Sequence, residues 1–306
     1  MDDLVKLWGK LAGRGKCMIA GWHQWADAGA VSSGLPQYLI DQTGARRIAE
    51  IRPDGFYLFQ LPGTHHLLRP HVKLVDGHRE EIRPRRNEFF YSGKERGGLV
   101  VFLGEEPHQN EERYAEAFFN VVEKLGVKRV AAVGGVYGSA PYDRHREISC
   151  VYSLPAMKEE LADYAVKLSN YEGGTTIGTY LADRAERRGM EFLCFYAVVP
   201  AYDFSQLSIS VRQMRIEQDF KAWHDLMRRF NHMFDIGLDL LDLERRSSEL
   251  ISSMDSKIDA LERTMPQLKV REYMEKLAKD FVEMPFVALG EEWESALGDL
   301  FEDAED

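Results

Sequence analysis

Four short runs constrain the fold more than anything else in the chain: KCMIAG (16–21), GGLVVFLG (97–104), VKRVAAVGG (127–135) and EFLCFYAVV (191–199). They are almost continuously apolar, and most are bounded by glycine. A strand with one wet face would alternate, so runs of this kind predict strands buried on both faces, with a layer packed above and another below. Helical patterns lie between them. In NEERYAEAFFNVVEKLG (110–126), Tyr114, Ala117, Phe118, Val121, Val122 and Leu125 recur at helix spacing, and Gly126 is placed to end the helix. TTIGTYLADRAERRG (175–189) offers Thr175 or Thr176 as a cap and Gly189 as a stop. Residues 27–44 form a looser third pattern, in which Pro36 predicts a kink or a late start. Between 46 and 91, RRIAEI, GFYLFQ, HVKLV, REEIRP and NEFFYS read as a meander of short strands. The prediction is an α/β protein, a three-layer αβα sandwich with a mixed sheet, spanning residues 1–204.

Sheet signals stop after VPAYDFS (199–205), and residues 205–306 read as an α-helical extension. Leu243, Leu250, Met254, Ile258 and Leu261 make a sparse apolar stripe on a polar helix within 220–265. Pro266 interrupts it, and a further amphipathic helix is predicted over 270–284. Residues 291–306 hold eight acids and no base, with Trp293, Leu297, Leu300 and Phe301 on one side of a predicted helix. Such a segment is expected to dock into an apolar groove of the same assembly. The formal net charge of −11 sits almost wholly in this extension, which carries 13 Lys/Arg against 23 Asp/Glu. That argues against a nucleic-acid surface there. The basic stretch 69–88 is broken by acids and lacks regular aromatic interleaving, so it reads as a solvated strand-and-loop face. No run of about 18 apolar residues suggests a membrane span. The N-terminal MDDLVKLWGK does not resemble a signal peptide, and Cys17, Cys150 and Cys194 stand far apart in apolar surroundings. A cytoplasmic protein with reduced thiols is expected.

No nucleophile elbow or phosphate loop occurs, and no dinucleotide glycine fingerprint follows the first strand. His65, His66, His71 and His78 cluster without the spacing of helical ligands, so no metal site is expected, nor a cofactor. Three glycine-bearing turns follow strands. GWHQWADAGAVSSG (21–34) contains Asp27, expected to cap the next helix by accepting backbone N–H groups near Gly29 or Ala30. Gly21 and Gly29 are expected at close approaches, and Trp22 and Trp25 against a cleft or a subunit contact. GGVYGSAPYDRHRE (134–147) groups Asp143, Arg144, His145 and Arg146, able to bind an anion or to pair with one another. YEGGTTIGTYL (171–181) opens a helix. Ligands of α/β sheets collect beyond the carboxyl ends of the strands. The expected cleft is therefore built from Trp22, Asp27, Gly29, Glu106, Gly135, Asp143, Arg144, Gly173, Gly174 and Thr175, with no residue assigned a catalytic role.

Taken in order, these stretches resemble one family. GWHQWADAGAVSSGLPQYLI resembles the opening GW-x-DAG signature of the PAC2 (proteasome assembly chaperone 2-like) family. FLGEEP (102–107), GGVYGSAPYDRHR (134–146), YEGGTTIGTYLADRAERRG (171–189) and VVPAYD (198–203) resemble its later landmarks. The resemblance implies a phosphorylase/hydrolase-like αβα sandwich, similar to purine nucleoside phosphorylases, a homo-oligomer, and an assembly-chaperone role rather than an enzymatic one. Two positions depart from the family pattern. Its Pro-His is here Pro141-Tyr142, and its Gly-Pro turn is Gly173-Gly174. The ending Ala304-Glu305-Asp306 also lacks the hydrophobic-Tyr-any tail by which relatives can grip proteasome rings. The favoured expectation is a non-catalytic, self-associating scaffold with protein partners. The alternative is a nucleoside- or phosphate-type ligand binder, or a hydrolase/phosphorylase-like enzyme, using the cleft at the glycine turns.

Overall fold

The computed structural model describes residues 4–8, 16–60, 69–93, 98–204 and 214–286. In chain order the elements are β1 (Val5–Leu7), β2 (Lys16–His23), α1 (Gly34–Thr43), β3 (Arg46–Ile51), β4 (His71–Val75), β5 (His78–Arg83), β6 (Glu88–Ser92), β7 (Leu99–Glu105), α2 (Glu111–Leu125), β8 (Val127–Gly138), β9 (Ile148–Tyr152), β10 (Lys167–Leu168), α3 (Ile177–Glu186), β11 (Glu191–Tyr202), β12 (Met214–Arg215), α4 (Phe220–Phe234), α5 (Leu241–Thr264) and α6 (Val270–Asp280). The main sheet runs β1-β3-β6-β7-β2-β8-β11-β9-β10, with β12 paired to β11.

The four continuous apolar runs are β2, β7, β8 and β11. They lie side by side and parallel at the middle of the sheet, in the order β7-β2-β8-β11. Antiparallel β6 and β9 flank them. Alternate residues divide between two cores. Ile19, Val101, Val133 and Phe195 face Leu35 and Leu39 of α1 and Trp223, Leu226 and Phe230 of α4. Met18, Val100, Val130 and Phe192 face Phe118 and Val122 of α2 and Leu181 and Ala185 of α3. The molecule is thus the expected three-layer αβα sandwich with a mixed sheet, because strands buried on both faces need both helical layers.

Several local expectations are refined. The helix within 27–44 starts late, at Gly34, after a 3-10 turn at Ala28–Ala30. GFYLFQ (55–60) is not a strand. The chain turns at Gly55, whose φ is +84°, and Phe56 drops fully buried against Tyr114 at 5.3 Å between ring centroids. One deep anchor in a loop mimicked the alternation of a strand. The short strands β1, β10 and β12 carry too few residues to show a period.

The 204/205 boundary drawn from the sequence borders the stretch 205–213, which is outside the described residues. Beyond it, α4 contributes Trp223, Leu226, Met227 and Phe230 to the same apolar cluster as the sheet. Of the sparse stripe on α5, Leu243, Met254 and Ile258 are buried, and Leu250 and Leu261 pack at its flank. The helix expected over 270–284 ends at Asp280. The acidic segment 291–306, with His65 and His66, lies outside the described residues.

Candidate functional site

The turn from β2 to α1 is fixed by Asp27. Its Oδ1 accepts the backbone N–H groups of Ser32 (2.8 Å) and Ser33 (2.9 Å), and Ser33 Oγ donates to Oδ2 at 2.6 Å. Asp27 therefore caps the entry to α1, but through Ser32 and Ser33 rather than Gly29 or Ala30. The intervening 3-10 turn at Ala28–Ala30 puts the bonded N–H groups three residues further along the chain. Burial pushes the carboxyl up from its ordinary value, against the pull of the Ser33 and Ser32 donors and of His23. Neighbouring backbones come very close. Gly135 N donates to Ala26 O at 2.9 Å, and a Cβ on Gly135 would sit 2.0 Å from Ala28 O. Gly29 has φ +62°, and a Cβ there would lie 2.7 Å from Cβ of Asp219. Only glycine fits both positions. Gly29 O accepts from Asp219 N (2.9 Å) and Trp223 Nε1 (3.2 Å), so this turn is pinned to the start of α4.

Trp22 does not line a cleft. It is fully buried between Phe102 and Phe118, and its Nε1 donates to Tyr114 Oη at 2.9 Å. Its parity with Met18 and Ala20 on β2 was the available signal. Trp25 lies on the surface instead, 71% exposed. Glu106 holds its backbone, accepting Trp25 N at 3.1 Å, and Glu106 N donates to His23 O.

The 134–147 segment is tied to the helical layer. Arg146 is fully buried. Its Nε and Nη2 donate to the two carboxylate oxygens of Asp219, at 2.8 and 3.2 Å, and its Nη1 donates to the carbonyls of Tyr142 and Arg144. Asp219 in turn caps α4 by accepting Ala222 N. Asp225, also buried, accepts Arg146 N at 2.8 Å and Lys221 Nζ at 2.7 Å, with His145 Nδ1 at 3.2 Å. Burial alone would raise the Asp225 carboxyl; His145, His224 and Lys221 outweigh it and hold it well below the usual carboxylate range. Asp143 and Arg144 are half-exposed. Arg144 sits 3.8 Å from Asp143 and 3.6 Å from Glu283. Tyr142, at the position of the family's histidine, donates its hydroxyl to Asp255 of α5 at 2.5 Å. The sequence named Arg146 but not Asp219 or Asp225. A capping aspartate at the head of the DFKAWH helix was the one local sign of Asp219.

The third turn leads into α3, where Thr176, not Thr175, is the cap, accepting Thr179 N at 3.1 Å. Thr175 and both glycines are exposed. A Cβ on Gly173 would lie 2.2 Å from the hydroxyl of Tyr171, and one on Gly174 would lie 4.0 Å from the Trp25 ring. The structure therefore brings Trp25, Asp27, Gly29, Glu106, Gly135 and Gly174 to one end of the central strands. Arg144 is engaged instead with Glu283, beyond α6, and Asp143 lies beside Arg144. The large apolar side chains exposed at this end include Trp25, Tyr171 at 68% exposure, and Val136 and Tyr137 at the end of β8, beside the exposed His23 and Glu172.

A cleft of about 330 Å³ opens elsewhere, at the β3–β6 edge, lined by Arg47, Glu50, Arg52, Arg85, Arg86 and Glu88. Its charges are largely paired: Arg47 with Glu50 and Glu88, Arg52 with Asp54, and Arg85 with Glu105. Among the described residues no group of three or more His, Cys, Asp or Glu is placed to hold a metal ion, and no helix is long and apolar enough to cross a membrane. The three cysteines are unpaired, and burial pushes the thiols of Cys17 and Cys194 up to about 11 and about 12.

The fold has solved counterparts. A proteasome-assembly chaperone homologue from Mycobacterium tuberculosis is 21% identical, with a TM-score of 0.66 over 78% of this chain and 94% of its own. A PAC2 family protein from Streptomyces avermitilis is 23% identical, with a TM-score of 0.66 over 80% and 97%. An archaeal homologue of proteasome-assembly chaperone from Pyrococcus furiosus is 15% identical, with a TM-score of 0.53 over 88% and 99%. No curated protein matches the sequence. The model of the PAC2 family matches residues 22–257, from Trp22 at the end of β2 into α5. The chain belongs to the PAC2 family.

Proposed function

We propose that this protein is a non-catalytic, self-associating scaffold that acts on other proteins in the manner of an assembly chaperone. One observation carries the reading. At the carboxyl end of the central strands the charged groups Asp27 and Arg146 are consumed in bonds within the chain, while Trp25 and Tyr171 stand 71% and 68% exposed. Exposed aromatics grouped on rigid turns suit protein contacts, where Trp and Tyr dominate binding energy. Solved relatives described as homologues of proteasome-assembly chaperones support the same class of role. The three free thiols support a reducing compartment, the cytoplasm. The alternative, a nucleoside- or phosphate-type ligand at these turns, loses Asp27 and Arg146, whose charges are bonded within the chain.

The test is affinity purification from the native host with the wild-type chain and with W25S/Y171S, read by quantitative mass spectrometry. Proteins retained by the wild type and lost by the variant support the proposal. A thermal shift of the wild type with nucleosides or phosphate, abolished in D27N, would overturn it in favour of the ligand reading.

A further inference from the structure

The hairpin β4–β5 stands apart from the sandwich. Among the described residues its strands pair only with each other, joined by a two-residue turn at Asp76-Gly77, both at positive φ. Val72 lies opposite Ile82, and Leu74 follows the shift in register after Lys73. All three are about half exposed or more, at 47%, 49% and 59% respectively. An isolated two-stranded hairpin is at best marginally stable in water, and a third and fourth strand with an apolar face change that. Among the described residues no further strand pairs with either outer edge of the hairpin.

The sequence of β5 says what pairs there. We infer that β5 joins antiparallel to β5 of a second copy of this chain, on a two-fold axis at Ile82. In that register Ile82 faces the partner's Ile82, Glu81 faces the partner's Arg83, and Arg83 faces the partner's Glu81. Shifting the centre to Glu80, Glu81 or Arg83 sets a charged residue against its own copy, which is unfavourable. A one-residue slip sets Ile82 against Glu81 or Arg83. The outer edge of β4 offers no such match, since His71-Val72-Lys73-Leu74-Val75 contains no acid. Pro84, without an N–H, closes the pairing after Arg83. The product is a four-stranded sheet. One face carries the row Val72, Ile82, the partner's Ile82 and the partner's Val72. The other carries alternating Glu81 and Arg83 from both copies. An isologous contact of this kind is the commonest route to a homodimer.

This inference rests on the self-association proposed above and assigns its surface. Glu81 already accepts from Arg83 within one chain at 2.9 Å, so a simple charge swap would not separate contacts within a chain from contacts between chains. A mixture does. E81R chains carry only arginine at the two positions and R83E chains only glutamate, so each repels its own copy and each fits the other. Light scattering after size exclusion should show E81R and R83E alone weakened in self-association by about tenfold or more, and their equimolar mixture restored as a one-to-one complex. I82C should form a disulfide-linked dimer under oxidising conditions, since opposed Cα atoms in an antiparallel pair stand about 4.5–5.5 Å apart. The hairpin lies outside both cores, so circular dichroism should report an intact body in every variant. A wild type that self-associates while neither charge reversal weakens it, or a mixture that fails to recover, overturns the β5 contact and leaves the scaffold reading standing. A wild type that stays monomeric at every concentration overturns the self-association itself.

Discussion

Arg146 and Asp219 meet in a two-pronged ion pair, at 2.8 and 3.2 Å, with neither side chain reaching solvent. They are 73 residues apart in sequence. The pair ties the loop after β8 to the first turn of α4, and removing one partner would strand the other charge in the interior. R146M is expected to cost about 3–5 kcal/mol in urea unfolding. R146M/D219N should recover much of that loss, because the cap on Ala222 N survives in the amide while the unpaired charge is gone.

The Asp225 carboxyl gives the fold a definite acid dependence. Its folded-state value lies well below the ordinary one, so its stabilisation is fully present above the unfolded value of about 4 and is lost as pH falls toward the folded value. D225N should therefore be less stable than wild type by about 2–4 kcal/mol at pH 7, with the gap closing below about pH 4. Melting curves of the two proteins from pH 7 to pH 3 read this directly.

Asp27 has the opposite sign. Its folded-state value is raised, so folding favours the protonated form, and the contribution of that form is fully present in acid and is lost as pH rises through the folded value. D27N keeps a carbonyl oxygen for Ser32 N and Ser33 N and is expected within about 1 kcal/mol of wild type at pH 7. D27A leaves both donors unmet and should cost about 1–2 kcal/mol. Thermal melts at pH 5 and pH 8 compare the two variants.

Gly135 and Gly189 separate a steric demand from a conformational one. A Cβ at 135 meets Ala28 O at 2.0 Å, whereas Gly189, at φ +65°, has open space around it. G135A should force the two turns apart and cost about 3 kcal/mol or more, through overpacking against backbone. G189A should cost only about 1 kcal/mol, the strain of an L-residue at that φ. Soluble yield and melting temperature of the two variants decide it.

The layers of the fold were legible because β2, β7, β8 and β11 have no wet face, and only a sheet covered on both sides accepts such strands. The helix ends at Gly126 and Gly189 were legible because left-handed termini favour glycine. The candidate site was legible only as chain segments. Sequence proximity grouped Asp143, Arg144 and Arg146, but burial sorted them: Arg146 turned inward to a partner 73 residues away, and Arg144 turned to Glu283. Trp22 looked like a surface aromatic beside glycines, yet strand parity with Met18 and Ala20 carried it into the core, and the exposed role fell to Trp25.

The helix that covers Phe195 of β11 is α4, whose Phe230 meets it at 5.1 Å between ring centroids. On the ribosome the central strand is finished about 30 residues before its cover emerges. Through that interval the nascent sheet presents Leu193, Phe195 and Val199 to whatever is nearby. Apolar sheet surface that stays open until a late helix closes over it is prone to aggregation in that interval.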